Sequence, residues 1–312
     1  MKVARVTSWG SAPVVFDGPD LPMPSPSQVQ VKVIAVAVPR VVRSRALGKH
    51  SSAQGAALPY DPTVDGIVQD EATGDLFYVS PMSASLFSER ANLERQTLVK
   101  LASGVDPVAV ATLVNPVASS WMALRCRAIP SGCDGATVLI LGATSTSGRA
   151  AVAVARSLGA ARIIGTSRTE ARLATVEGLH ERVVLQDPFA LPASLGPIHI
   201  ILDFVGGQAT AGVLQTAEVQ PGKELQYIHV GDLAREDTIT VPSQLLNARP
   251  IRITGSGMGA WGKMEIKKEI SGLIAAVAKM PRPQDILITK FADIESVWDT
   301  EEAKIKRFVL VW

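Results

Sequence analysis

The spacing of apolar and polar residues changes character along the chain. From residue 1 to about 112 it favours short strands. Lys2 to Trp9 alternates, as does Gln28-Val29-Gln30-Val31-Lys32-Val33, and Leu76-Phe77-Tyr78-Val79 is a further compact strand signal. A proline-rich turn, Pro19 to Pro26, and punctuation at Pro62, Gly66 and Gly74 separate these runs. No segment before Asp106 carries a helical period of useful length. Asp106 then reads as an N-cap with Pro107 at the first helical position, opening a helix to about Val114. Asn115-Pro116 interrupts it, and Val117 to Arg127 resumes the pattern.

From there apolar strands and helical segments alternate. Val138-Leu139-Ile140-Leu141 has the unbroken hydrophobicity of a strand buried on both faces. A turn rich in Gly, Ser and Thr follows, Gly142 to Gly148, and then a helix with Ala151, Ala155 and Leu158 on one stripe, closed by Gly159. Arg162 to Thr166 is the next strand, completing a βαβ unit. Further strands are expected at Arg182–Leu185, His199–Val205 (ending at Gly206-Gly207), Glu224–Val230 and Ile251–Thr254. A helix to about Ala217 lies among them. This alternation predicts a doubly wound parallel sheet. A helix over about Gly262–Ala278, strands at Ile286–Phe291 and Arg307–Trp312, and a short helix capped by Asp293 complete the chain. The fold class is therefore α/β. A mostly-β domain over 1–112, completed by 255–312, joins a parallel-sheet domain over 113–254.

Composition narrows the function. The 312 residues are 47% hydrophobic and 19% charged, with a net charge of +2 and both signs mixed along the chain. That balance argues against nucleic acid or a membrane surface as the main partner. The amino terminus lacks the apolar core of a secretory signal, and the longest apolar run, Val33 to Val38, is far short of a membrane span. With two cysteines, Cys126 and Cys133, the chain cannot carry a disulfide framework. A soluble, cytoplasmic protein with inert thiols is the expectation.

The turn after the central strand is where a dinucleotide's pyrophosphate would meet a helix N-terminus. A G-x-G-x-x-G repeat retains only Gly142 in one frame and Gly148 in the other. The end of the next strand, 20 residues past Gly148, is more informative: it carries Ser167-Arg168 where an NAD site has Asp or Glu. Arginine suits a 2′-phosphate, so the pair favours NADPH.

Several segments, weak singly, occur in an order and spacing that resemble the zinc-free medium-chain dehydrogenase/reductase superfamily, near its quinone oxidoreductase, zeta-crystallin and enoyl reductase members. They are Leu58-Pro59-Tyr60 with Val64-Asp65-Gly66, Asn115-Pro116 with Ser119 to Leu124, the turn Gly142 to Gly148, Asp203 to Gly207, and Phe291 to Glu295. The resemblance implies a GroES-like domain plus a Rossmann domain, with an active site in the cleft between them. It also implies zinc-independent, NADPH-dependent hydride transfer to a quinone or an α,β-unsaturated carbonyl. It places Thr144, Ser145, Thr146, Ser147 and Gly148 at the pyrophosphate, and Ser167 and Arg168 at the 2′-phosphate. Phe204, Val205, His229, Val230 and Gly231 border the adenosine and ribose, and Gly255, Ser256 and Gly257 the nicotinamide. Relatives usually carry glycine at the positions of Ser145 and Thr146, whose side chains would either crowd a diphosphate or donate to it.

Catalytic candidates also follow from the resemblance. Tyr60 matches a pocket tyrosine, His50 falls where many relatives carry a second tyrosine, and Asn115 falls where they place a polar group near the nicotinamide. Tyr60 or His50 would donate to a developing enolate. Four scattered histidines and two cysteines assemble neither a catalytic nor a structural zinc site, so no metal is predicted. Relatives pair Rossmann sheets edge to edge, which implies a homodimer. The substituted turn leaves two alternatives: the same fold performing a non-redox cyclisation or elimination, or a nucleotide-binding protein without turnover. Other residues read as structural. Arg40, Arg43 and Arg45 form a solvated basic face, and Glu265 to Glu269 an exposed helix face with local ion pairs. Trp121 and Trp261 are core fillers, and Asp65 makes a local hydrogen bond beside Gly66.

Overall fold

In the computed structural model, which describes residues 1–130, 132–236 and 238–312, the chain divides into two units. One comprises Met1–Asn115 and Ile270–Trp312, the other Pro116–Glu269. The strand signals of the first hundred residues become β1 (Lys2–Arg5), β2 (Val14–Asp17), β3 (Gln28–Ala37), β4 (Gly66–Asp70), β5 (Leu76–Val79), β6 (Arg90–Glu94) and β7 (Leu98–Lys100). A short helix, α1 (Arg40–Ala46), interrupts them, and α2 (Pro107–Cys126) follows. The alternating segment supplies β8 (Thr137–Leu141), α3 (Thr146–Ser157), β9 (Arg162–Ser167), α4 (Glu170–Ala174) and β10 (Glu181–Val184). It continues with β11 (Ile200–Asp203), α5 (Gly207–Thr216), β12 (Leu225–His229), α6 (Ser243–Ala248) and β13 (Ile251–Gly255). The chain closes with α7 (Lys263–Val277), β14 (Ile286–Lys290), α8 (Ile294–Val297), α9 (Glu301–Ile305) and β15 (Arg307–Val311).

The long strand β3 organises the first unit. Val29, Val31 and Val33 point inward at period two, and from Ala35 on the strand is buried on both faces. β6, β4 and β15 pair with successive parts of it, giving the order β14-β15-β3-β4-β5-β7. The chain's last strand is thus a direct neighbour of one of its first. Phe87 packs edge-on against Phe291 and Trp298, with ring centroids 6.2 and 6.3 Å away.

The second unit is a sheet in the order β10-β9-β8-β11-β12-β13, every neighbouring pair parallel. In sequence rank that is 3-2-1-4-5-6, the doubly wound dinucleotide-binding arrangement, whose ligand crevice lies beyond the carboxyl ends of strands 1 and 4. These are β8 and β11. Every residue of both is buried, as two-sided coverage requires, and Leu139, Ile164, Ile201, Val213 and Tyr227 fill one face.

Two expectations about helices need correction. α1 was not visible as a helix because it has only seven residues, two of them β-branched and three of them arginine. And Pro116 does not interrupt α2, which runs unbroken through it. A proline inside a helix withholds the N–H that would reach the carbonyl four residues back, here that of Thr112. Arg307 Nε donates to that carbonyl instead, at 3.1 Å, so a guanidinium takes the place of the missing amide. By length and composition α2 could cross a membrane, but 72% of its most apolar window is buried inside the protein, as in a core helix.

Candidate active site and nucleotide-binding turn

The turn after β8 is built on two glycines six residues apart, in neither frame of G-x-G-x-x-G. Gly142 has φ +81°, which a side chain disfavours. Gly148 sits in the first turn of α3, where a Cβ would lie 2.7 and 2.9 Å from the Cα and C of Ala143. Its bare backbone is what lets the helix descend onto the strand. Midway, Ser145 is the N-cap of α3, in ordinary extended geometry (φ −71°, ψ 161°), so no glycine is needed there. Its Oγ accepts from Gly148 N at 3.0 Å and donates to Gly142 O at 2.8 Å. The Ser145 hydroxyl is therefore turned inward to close the turn and neither crowds a diphosphate nor donates to one.

The amides of Thr146, which is exposed, and Ser147, which is half-buried, remain, with no partner among the described residues. They are the free donors of a helix N-terminus. α5, at the end of β11, offers a contrast. There the Glu236 carboxylate accepts from Gln208 N at 3.1 Å and lies against Gly207, so the protein itself fills that N-terminus. Of these two helix starts at the crevice, α3 is the one left open.

Around it stand the other predicted cofactor residues. The hydroxyls of Thr144 and Ser167 lie 3.4 Å apart, joining the ends of β8 and β9. Arg168 is exposed, and its guanidinium has no partner among the described residues. The segment Phe204–Gly206 is shaped by Asp203, which is fully buried. Its Oδ1 accepts from Val205 N and Gly206 N, and its Oδ2 from Thr210 Oγ1 and Tyr227 Oη, at 2.5–3.0 Å. Val230 and Gly231 hang from the Asp203 carbonyl, and His229 Nδ1 lies 3.2 Å from Tyr227 Oη. Past β13, Ser256 is buried and accepts from Trp261 Nε1 at 3.1 Å, while Arg127 bonds the carbonyls of Gly255 and Ala260. The Gly257 carbonyl accepts from Ala260 N at 2.8 Å, and a Cβ there would meet nothing within 4 Å.

The catalytic candidates belong to the first unit. Tyr60 packs against Trp9 (centroids 5.4 Å apart) and lies 5.2 Å from the Arg45 guanidinium carbon. Its hydroxyl is buried without a hydrogen-bond partner among the described residues. Burial raises its pKa above the usual phenol value, partly offset by Arg45. His50 opens a short 3₁₀ turn and accepts from Ser52 N there. It meets the same guanidinium through Ser52 Oγ, so Tyr60 and His50 share one buried cation. Asn115 is not joined to them: it lies half-buried in α2 with no side-chain hydrogen bond among the described residues. Three metal-binding side chains converge nowhere among the described residues.

A protein of Emericella nidulans described as the probable NADPH-dependent quinone reductase tdiC is 44% identical over a 355-residue alignment that takes in all of both chains. This chain belongs to the quinone oxidoreductase branch of the medium-chain dehydrogenase/reductase superfamily. Solved structures in the branch share its fold. A mycobacterial quinone oxidoreductase is 16% identical with a TM-score of 0.81, each chain covered in full. The quinone oxidoreductase of Thermus thermophilus, solved also with NADPH, is 18% identical with a TM-score of 0.74, again over all of both chains. No family model matches the chain.

Within this branch, the structure alters several sequence readings. Arg40 alone of the arginine cluster is solvated. Arg43 donates to the carbonyls of Trp298 and Ala303 and covers the Trp298 ring at 4.8 Å, and Arg45 is buried beneath Tyr60. A helical stripe brought Val42, Arg45 and Ala46 inward together, a pattern obscured by the charge of the arginines. The Glu265–Glu269 face is not locally paired. Its i,i+4 spacing puts both carboxylates on one side of α7, where Arg127 binds Glu265 and Arg125 and Trp121 bind Glu269. Trp261 is a half-buried tether of the 255–262 loop, not core. Asp65 does make its hydrogen bond, but to Tyr78 Oη across the sheet (2.8 Å). Burial raises its pKa to about 6 despite Tyr78 and Arg307. Burial likewise pushes the Cys133 thiol up to about 11, so it stays protonated.

Proposed function

We propose that this protein reduces quinones with NADPH. The full-length relative at 44% identity bears that activity in its name, and this observation carries the reading. The turn supports it locally: its departures from the glycine pattern leave the α3 N-terminus intact and unfilled by protein. The amides of Thr146 and Ser147 would hold the pyrophosphate, and the free guanidinium of Arg168 with Ser167 the 2′-phosphate. When bound, the nicotinamide supplies a hydride, two electrons and one hydrogen nucleus, to the quinone ring. A proton from solvent then completes the hydroquinone. The chain's own part is orientation and hydrogen-bond donation to the quinone oxygen, for which Tyr60 Oη and His50 are the candidates. Tyr60 Oη is suited to it, because a buried hydroxyl without a partner gains a bond when an acceptor arrives.

The non-redox alternative rested on a damaged phosphate turn, and the Ser145 cap removes that motive. The exposed edge strand β13, with Ile253 outward, supports an edge-to-edge homodimer, and the reduced thiols fit a cytoplasmic setting. Mixing the purified protein with NADPH and a panel of benzo- and naphthoquinones, while following loss of reduced nicotinamide and formation of hydroquinone, tests the proposal. Equal turnover with NADH, or tight NADPH binding without quinone reduction anywhere in the panel, would overturn it.

A further inference from the structure

Four hydrogen bonds meet at the His50 turn, and their donors can be assigned without ambiguity. Arg45 Nε donates to Pro62 O at 2.9 Å, and its Nη1 to Ser52 Oγ at 2.5 Å. A guanidinium has donors only, so Ser52 Oγ must accept from it. The Ser52 hydroxyl hydrogen is then free for His50 Nδ1, 2.8 Å away. Ser52 N also donates to Nδ1, at 3.2 Å, and a backbone amide cannot accept. Two donors are aimed at one ring nitrogen.

That nitrogen must present its lone pair, which puts the imidazole proton on Nε2. We propose that Arg45 and Ser52 are positioning residues that fix His50 as the neutral Nε2–H imidazole, a hydrogen-bond donor to the quinone oxygen that keeps its own proton. The inference rests on the quinone reductase reading for its substrate, but not for the state of the ring. Charge around the ring agrees. Arg45, on α1, reaches the ring through Ser52 Oγ, and Asp61 beyond is taken up by Arg5 and Thr63. No carboxylate hydrogen-bonds His50 among the described residues. Burial, and then Arg45, lower its pKa below the usual histidine value. An imidazolium here would have to turn an N–H towards the Ser52 amide. The proton that completes the hydroquinone after hydride transfer is therefore drawn from solvent, and His50 is unchanged over the cycle.

The test is the ring-nitrogen NMR spectrum of His50 in the full-length protein, assigned by its loss in His50→Gln. Between about pH 6 and 8 the spectrum should show an unprotonated Nδ1 and a protonated Nε2, with quinone reduction flat over that range. Ser52→Ala lies on the exposed turn and leaves Arg45 its bond to Pro62 O, so the protein should fold. It should raise the His50 titration by roughly 0.5–1 unit and move any acid limb of kcat with it. Arg45→Lys should do the same in whatever fraction folds. His50→Gln, still an N–H donor, should keep activity that His50→Ala loses. A proton on Nδ1, a cationic ring at neutral pH, an unmoved titration in Ser52→Ala, or Gln no better than Ala would each overturn the proposal. If the ring is as described but no quinone is reduced, the function fails and the assignment of the ring stands.

Discussion

Replacing Gly148 by alanine probes the join between fold and cofactor site with a single methyl group. That methyl would lie 2.7 Å from Ala143 Cα, and closer still to the Gly142 carbonyl, where ordinary contact begins at 3.4 Å. All the neighbours are backbone at the end of a fully buried strand, so the helix must retreat by about 1 Å to bring the nearest of them to ordinary contact. The retreat loosens Ala151, Val152, Val154 and Ala155, which α3 buries. Overpacking of this kind costs about 1–3 kcal/mol, and the better helix propensity of alanine returns up to about 1 kcal/mol. The net loss, about 1–2 kcal/mol, should lower Tm by about 2–8 °C for a unit of this size. The amides of Thr146 and Ser147 move with the helix, so NADPH binding should weaken by a further 1.5–3 kcal/mol or so. Thermal melts and fluorescence titration with NADPH measure the two effects separately. For the melts, Gly257→Ala, where a Cβ meets nothing within 4 Å, is the control and should change stability by no more than about 0.5 kcal/mol. A Gly148→Ala protein with unchanged Tm and NADPH affinity would refute the account of the turn.

Three further outcomes follow from the same geometry. Arg168→Ala should weaken NADPH binding by about 1.5–3 kcal/mol and leave NADH binding alone, as parallel titrations would read. Ser145→Ala should cost about 1 kcal/mol in denaturant unfolding but Ser145→Gly only a few tenths, because the loss is that of a helix cap. Asp65 holds its proton more tightly folded than unfolded, with its pKa raised from 3.8 to about 6. Its contribution is therefore full below 3.8 and is lost as pH rises through about 6. Asp65→Asn should accordingly gain on the natural protein by about 3 kcal/mol across that window. A difference in unfolding free energy that is constant with pH would count against a buried, strained carboxylate.

The sheets were legible because their signals are local. A short unbroken run such as Val138–Leu141, closed by a Gly/Ser/Thr turn, reads as a doubly covered strand, and its repeats at the right intervals define the parallel sheet. The cofactor turn was legible in position but not in form, because a hydroxyl that caps a helix and a hydroxyl that crowds a phosphate are spelled by the same serine. What the sequence concealed lies in long-range pairing. Arg307 answers a vacancy at Thr112, 195 residues away, that Pro116 creates, and Glu265 and Glu269 find arginines more than 130 residues distant. Arg45 was misread for a related reason. An arginine on a short helix looks solvated until Pro62, Ser52 and Met82 are known to stand around it.

The placement of β15 beside β3 has a consequence in time. A ribosome makes the chain from one end, so β3, the longest strand, emerges some 270 residues before its neighbour Val309–Val311. Until the last strand is released, Val36 and Ala37 present an open, apolar edge, the kind that recruits other strands. The parallel-sheet unit between them can fold first, while the β unit waits for its end. Deleting the final six residues should therefore harm yield and solubility, because β3 and β14 both lose the strand that pairs with them. The surviving protein should still contain a folded second unit that resists protease.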